Sequence, residues 1–177
     1  MKRASLLLAL PLLAAPILAA CSDDRALSDY IPVADPLREP ARAAPFEYGR
    51  SGWIQGSPVR AAQAAAEIEA FTDAAENDPL WTHPRSAVLL PQLQIARREF
   101  REALGVSPRI PSAVAARSFA TAAEALRRYN EPAAAAALGP VGGTATLARL
   151  SNLPRLPRVE EAAQAVAIEV NQPGRNR

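Results

Sequence analysis

Cysteine, histidine and lysine each occur once in this chain of 177 residues, as Cys21, His83 and Lys2. A single cysteine excludes an intrachain disulfide. A single histidine leaves any metal site to His83 and carboxylates, whereas zinc sites use three or four convergent protein ligands. No metal is therefore expected. With Lys2 and Arg3 set aside as part of a leader, the 20 basic residues fall to 18 and match the 18 acidic ones. That balance offers no basic face for nucleic acid, whose binding calls for clustered cations. No apolar run reaches the roughly 20 residues of a membrane-crossing helix. The glycines follow neither the phosphate-loop nor the dinucleotide-binding spacing.

What is present begins with Lys2 and Arg3, followed by an uncharged apolar run over residues 6–20 that ends Leu18-Ala19-Ala20-Cys21. A short positive segment, an apolar run of this length and small residues before a boundary are the parts of a secretory signal. On these residues the chain resembles a bacterial lipoprotein precursor, because Leu18, Ala19 and Ala20 before Cys21 match the lipobox read by the lipoprotein signal peptidase. The resemblance covers residues 1–21 only. It implies removal of residues 1–20, covalent lipid on Cys21 as the only attached group, and a membrane anchor. Ser22 in the following position implies delivery to the outer membrane, facing the periplasm.

Residues 21–56 read as a lipidated start and an extended tether, since Pro32, Pro36, Pro40 and Pro45 recur at intervals that suit neither a helix interior nor a central strand. At its end Trp53 stands among Gly49, Gly52 and Gly56 and is a candidate contact residue.

Residues 57–171 read as one all-α domain, an irregular bundle of four to five helices, with residues 172–177 as a disordered tail. Prolines 58, 84, 111, 132 and 157 each introduce a helix-forming stretch, and proline in a first turn costs no hydrogen bond. Inward seams at helical spacing are Ala61, Ala64, Ala65, Ile68, Phe71 and Ala75; Leu89, Leu93, Ala96, Phe100 and Leu104; Ala115, Phe119, Ala122, Leu126 and Tyr129; and Val159, Ala163, Val166 and Val170. Gly105 and Asn130 are the expected left-handed helix ends. Ala133 begins a short alanine helix, and a turn or two follows from Thr144.

Chemistry-bearing residues are few. Trp81, His83 and Arg85 cluster, with Asp78 and Ser86 nearby, and are the best candidates for partner or ligand contact. Grouped around two prolines, they fit helix capping better than a Ser-His-Asp triad. Glu67, Glu69, Asp73 and Glu76 are expected on a solvated outer face, as is the run from Arg97 to Glu102, with Arg98 and Glu102 paired at i,i+4. The function expected is non-catalytic: binding an envelope protein, or a structural role, at the periplasmic face of a membrane. A carrier of a small apolar or anionic ligand, with a closed pocket near Trp53 and Trp81, is the alternative. A cell-wall enzyme ranks third.

Overall fold

The computed structural model describes residues 35–172. The lipobox, Cys21 and residues 173–177 lie outside them. Seven α-helices follow one another with no strand among the described residues: α1 Arg38–Glu47, α2 Pro58–Asn77, α3 Leu89–Leu104, α4 Ser112–Arg127, α5 Glu131–Ala137, α6 Gly143–Leu150 and α7 Pro157–Asn171. Short 3-10 turns at Ser51–Trp53 and Gly139–Val141 join them. The all-α class stands, with more helices than the four to five expected.

The helix starts follow the prolines in most cases. Pro58, Pro132 and Pro157 sit in the first turns of α2, α5 and α7, and Pro111 precedes α4. Pro84 does not open a helix; α3 begins at Leu89 and takes Pro91 into its first turn, where no intrahelical N–H is needed. Gly105 ends α3 in the left-handed conformation, φ 69°. A Cβ there would also meet the Arg149 guanidinium, whose Nη1 donates to the Leu104 carbonyl oxygen at 3.1 Å. After α4 the left-handed residue is Tyr129, φ 55°, rather than Asn130. Asn130 instead caps α5, its side chain accepting from the Ala133 N–H at 3.0 Å. Tyr129 thereby leaves the inward seam and is 95% exposed.

The tether expected up to residue 56 is folded from Arg38 onward. Pro40 falls in the first turn of α1, and Pro45 removes one interior hydrogen bond. Tertiary packing outweighs that loss: Ala41, Ala44 and Tyr48 are buried, and α1 packs chiefly on α7. A Cβ at Gly49 would strike the carbonyl oxygen of Pro45 in α1 itself and, at 2.8 Å, the Gln164 side chain of α7. The following 3-10 turn is tied to α7 by Glu160, which accepts from the Ser51 N–H at 2.8 Å and the Ser51 hydroxyl at 2.6 Å.

Helix α2 is the centre of the bundle, packing on α4 and α3 and also touching α1, α6 and α7. Its buried residues therefore lie on more than one face, from Ala61, Ala62 and Ala64 round to Ala66, Glu67, Glu69 and Thr72. Alanines permit the close approach, and large side chains fill the remaining space. Phe71 and Trp81 stack with centroids 5.7 Å apart, and Phe119, Ile68, Leu89, Leu93 and Leu104 are likewise buried.

Candidate functional site

The sequence candidates separate in space. Trp81 is buried beyond the C-terminal end of α2, its indole N–H donating to Asp35 Oδ1 at 3.2 Å. His83 is exposed, with its Nδ1 3.2 Å from the Thr82 hydroxyl. Arg85 and Ser86 donate backbone N–H groups to the two oxygens of buried Glu169, at 3.0 and 3.2 Å. These residues brace a loop against α7. Trp53 lies instead at the N-terminal end of α2, where Arg60 Nη1 reaches its carbonyl oxygen at 3.5 Å. A helix of 20 residues spans about 30 Å, so the two tryptophans lie at opposite ends of α2.

The arginine-rich run of α3 is not a solvated face. Arg101 is buried and grips Glu69 in two parallel bonds, Nε to Oε1 at 2.6 Å and Nη2 to Oε2 at 2.7 Å. Its Nη1 donates to the carbonyl oxygens of Ser107 and Pro108. Arg97 pairs with Glu76 at 3.1 Å and donates to the Ser112 hydroxyl at 2.7 Å. Glu99 accepts the Arg158 and Val159 N–H groups at the start of α7, and burial nevertheless raises its pKa. The pairing expected between Arg98 and Glu102 does not form. Because α3 packs against both α2 and α7, Arg97, Glu99 and Arg101 are drawn toward the interfaces, whereas Arg98 and Glu102 stay exposed without pairing.

Of the carboxylates expected on a solvated face of α2, Glu76 is exposed and Asp73 half-buried, but Glu67 and Glu69 are buried. Glu69 is met by Arg101, whereas Glu67 points to the other flank of the helix and meets no cation directly. Gln63 Nε2 donates to Glu67 Oε1 at 2.7 Å, and Arg127 Nη2 donates to Gln63 Oε1 at 2.7 Å. Glu67 Oε2 and the Tyr48 hydroxyl are both buried without a hydrogen-bond partner in the described residues. Burial raises the Glu67 pKa to about 7; Gln63 opposes the rise, Glu47 adds to it, and Tyr48 and Arg127 hold it down. Burial, then Glu67 and Glu47, push the Tyr48 phenol well above its usual range.

Outside this pair is a recess of about 430 Å³ lined by Phe46, Glu47, Tyr48, Val59, Arg60, Gln63 and Arg127. Phe46 stands at its edge, 81% exposed. Arg50 lies over the Trp53 ring, 5.2 Å from its centroid, and Tyr129 follows two residues after Arg127. Thus the three exposed aromatics of the described residues, Phe46, Trp53 and Tyr129, share one end of the bundle. Phe71, Phe100, Phe119, Tyr48 and Trp81 are all buried.

Comparisons with family models, curated proteins and solved structures alike return nothing similar. Among the described residues no group of three or more His, Asp or Glu side chains converges as a metal site would require.

Sequence reasoning singled out Trp53 at this end and missed Phe46, Tyr48, Arg60, Gln63, Glu67 and Arg127. A signal was available for two of them. The run Ala61-Ala62-Gln63-Ala64-Ala65-Ala66 is apolar around nearly its whole circumference, which marks a helix buried on several sides. Polar residues within such a helix, Gln63 and the Glu67 one turn on, must find partners in the interior. Phe46 and Tyr48 carried no comparable signal, because their stretch was read as extended.

Proposed function

We propose that this chain is a lipid-anchored domain of the bacterial cell envelope, held to a membrane by acylated Cys21 and acting without catalysis by docking an envelope protein. The lipobox and the Ser22 that follows it support the anchor and favour the periplasmic face of the outer membrane. One structural observation carries the docking role: the chain enters the bundle at one end and exposes its aromatics at the other. Asp35 bonds Trp81, and Pro36 and Leu37 lie against Asn77, Asp78 and Pro79, all at the C-terminal end of α2. Phe46, Trp53 and Tyr129 are at its N-terminal end. Aromatics and arginines are the residue types enriched in interface hot spots, and here they stand farthest from the attachment point. The exposed, uncoupled His83 gives no support to a hydrolase.

A photo-crosslinking residue in place of Phe46, in intact cells carrying the chain with or without Cys21→Ala, tests this reading. The expected result is a discrete adduct with an envelope protein that is lost with the anchor. Copurification of a lipid or small molecule without a protein adduct would transfer the role to a carrier, and an adduct indifferent to Cys21→Ala would remove the anchor from the function.

A further inference from the structure

We infer that the partner presents an acidic segment carrying an apolar side chain, bound at the recess beside Phe46 with its carboxylates on Arg60 and Arg50. This deepens the docking role proposed above and rests on it.

The recess supplies an apolar wall from Phe46 and Val59, above the buried Tyr48, and is of a size suited to one or two side chains. Arg60 in its lining, and Arg50 beyond it over Trp53, are uncommitted cations. Arg60 makes a single long bond, to a carbonyl oxygen, and Arg50 lies over an indole; neither has a carboxylate partner among the described residues. Arg127, across the recess, is already held by Glu124 and Gln63. Glu47 is also on the rim and repels acid there. An incoming carboxylate is thus directed to the Arg60 side, while an apolar group enters beside Phe46. Guanidinium groups favour this use because they bind carboxylates through two parallel bonds.

The same features bear on the other occupants. Arg50, Arg60, Arg127 and Arg128 stand against Glu47, Glu124 and Glu131 at this end, a near balance that gives an anionic membrane little to attract. In a symmetric second copy residue i of the patch meets residue j of its partner, so oligomeric state separates that occupant from an acidic segment.

The test uses the full chain in neutral phosphatidylcholine nanodiscs, with a fluorescent hexapeptide of alternating Asp, Leu and Glu, Phe pairs and its Asn/Gln counterpart as probes. The acidic probe is expected to bind about tenfold or more tightly than the amide probe, a difference of about 1.4 kcal/mol. Arg60→Glu and Arg50→Glu should each abolish that preference, with circular dichroism confirming that these exposed changes leave the helices intact. Equal binding of the two probes, or binding of neither, overturns the inference. So does capture of the chain by phosphatidylglycerol vesicles in place of the peptide, or a dimer in sedimentation that Arg60→Glu dissociates. An anchor-dependent crosslink in cells with no probe preference would sink the acidic chemistry alone. Loss of the crosslink with the preference retained would sink the cellular role alone.

Discussion

The two flanks of α2 each bury a glutamate, two residues apart, and they neutralise it by different means. On the α3 flank, Glu69 meets a guanidinium whose remaining donors are taken up by the Ser107 and Pro108 carbonyls and the Ser112 hydroxyl. On the α1 flank, Glu67 has Gln63 at one oxygen and no hydrogen-bond partner at the other. The first flank is charged and satisfied. The second is held neutral by a proton when pH is low and becomes a strained charge when it rises. Burial of a charge is tolerable only with a partner or a proton, and α2 shows both solutions on one helix. The recess beside Phe46 lies on the flank where hydrogen bonding is less complete.

The largest effect should come from breaking the satisfied flank. Glu69→Ala leaves the Arg101 guanidinium buried and uncompensated, and is expected to destabilise by about 3 to 5 kcal/mol in urea unfolding. Replacing both partners, Glu69→Leu with Arg101→Met, should restore most of that loss. If the single change costs no more than the double, the pair is not acting as a buried ion pair.

The other flank should reveal itself through pH. The Glu67 pKa is raised in the folded state, so protonation favours folding: its contribution is fully present below the unfolded value near 4.5 and is lost as pH rises through about 7. From the size of the shift, about 2 to 3 kcal/mol of stability should disappear between pH 4.5 and 8. Glu67→Gln should flatten this dependence and be the more stable protein at pH 8. Parallel pH profiles of the two proteins would show that the carboxyl is not responsible.

A smaller change sharpens the contrast further. Tyr48→Phe removes a buried hydroxyl that faces Glu67 without a well-formed hydrogen bond, so stability should move by less than about 1 kcal/mol. Because that hydroxyl helps hold the Glu67 pKa down, carboxyl titration by NMR should find it higher in the variant. A fall would contradict the arrangement. Smallest of all, Phe46→Ser should alter the unfolding midpoint by no more than about 0.5 kcal/mol equivalent, since the side chain is 81% exposed. A markedly larger loss would make Phe46 a packing residue and not a contact.

Much of the bundle was legible before its structure. The seams of α2, α3 and α7 read from periodicity are buried as expected, from Ala61 to Ala75, Leu89 to Leu104 and Val159 to Val170. Pro58, Pro111, Pro132 and Pro157 mark helix starts because a proline ring in the first turn displaces nothing. The failures share a cause. Periodicity assigns each helix one inner face, whereas α2 is surrounded, so Glu67 and Glu69 pass from expected surface to interior. Helix α1 was read as tether because Pro40 and Pro45 penalise an isolated helix, and its burial against α7 supplies what local propensity lacks.

By itself the sequence determined the helical class, the main helix boundaries and the expectation of a lipid anchor at Cys21, because these depend on neighbours along the chain. Only the tertiary structure decided that Arg101 answers Glu69, that Tyr48 faces Glu67, and that Phe46, Trp53 and Tyr129 gather at the end opposite Asp35. Tyr48 and Glu67 are 19 positions apart, Glu69 and Arg101 32, and Trp53 and Tyr129 76, and no local rule of period or capping reaches that far. Charge and aromatic placement acquire meaning only once helices that are distant in sequence have packed side by side.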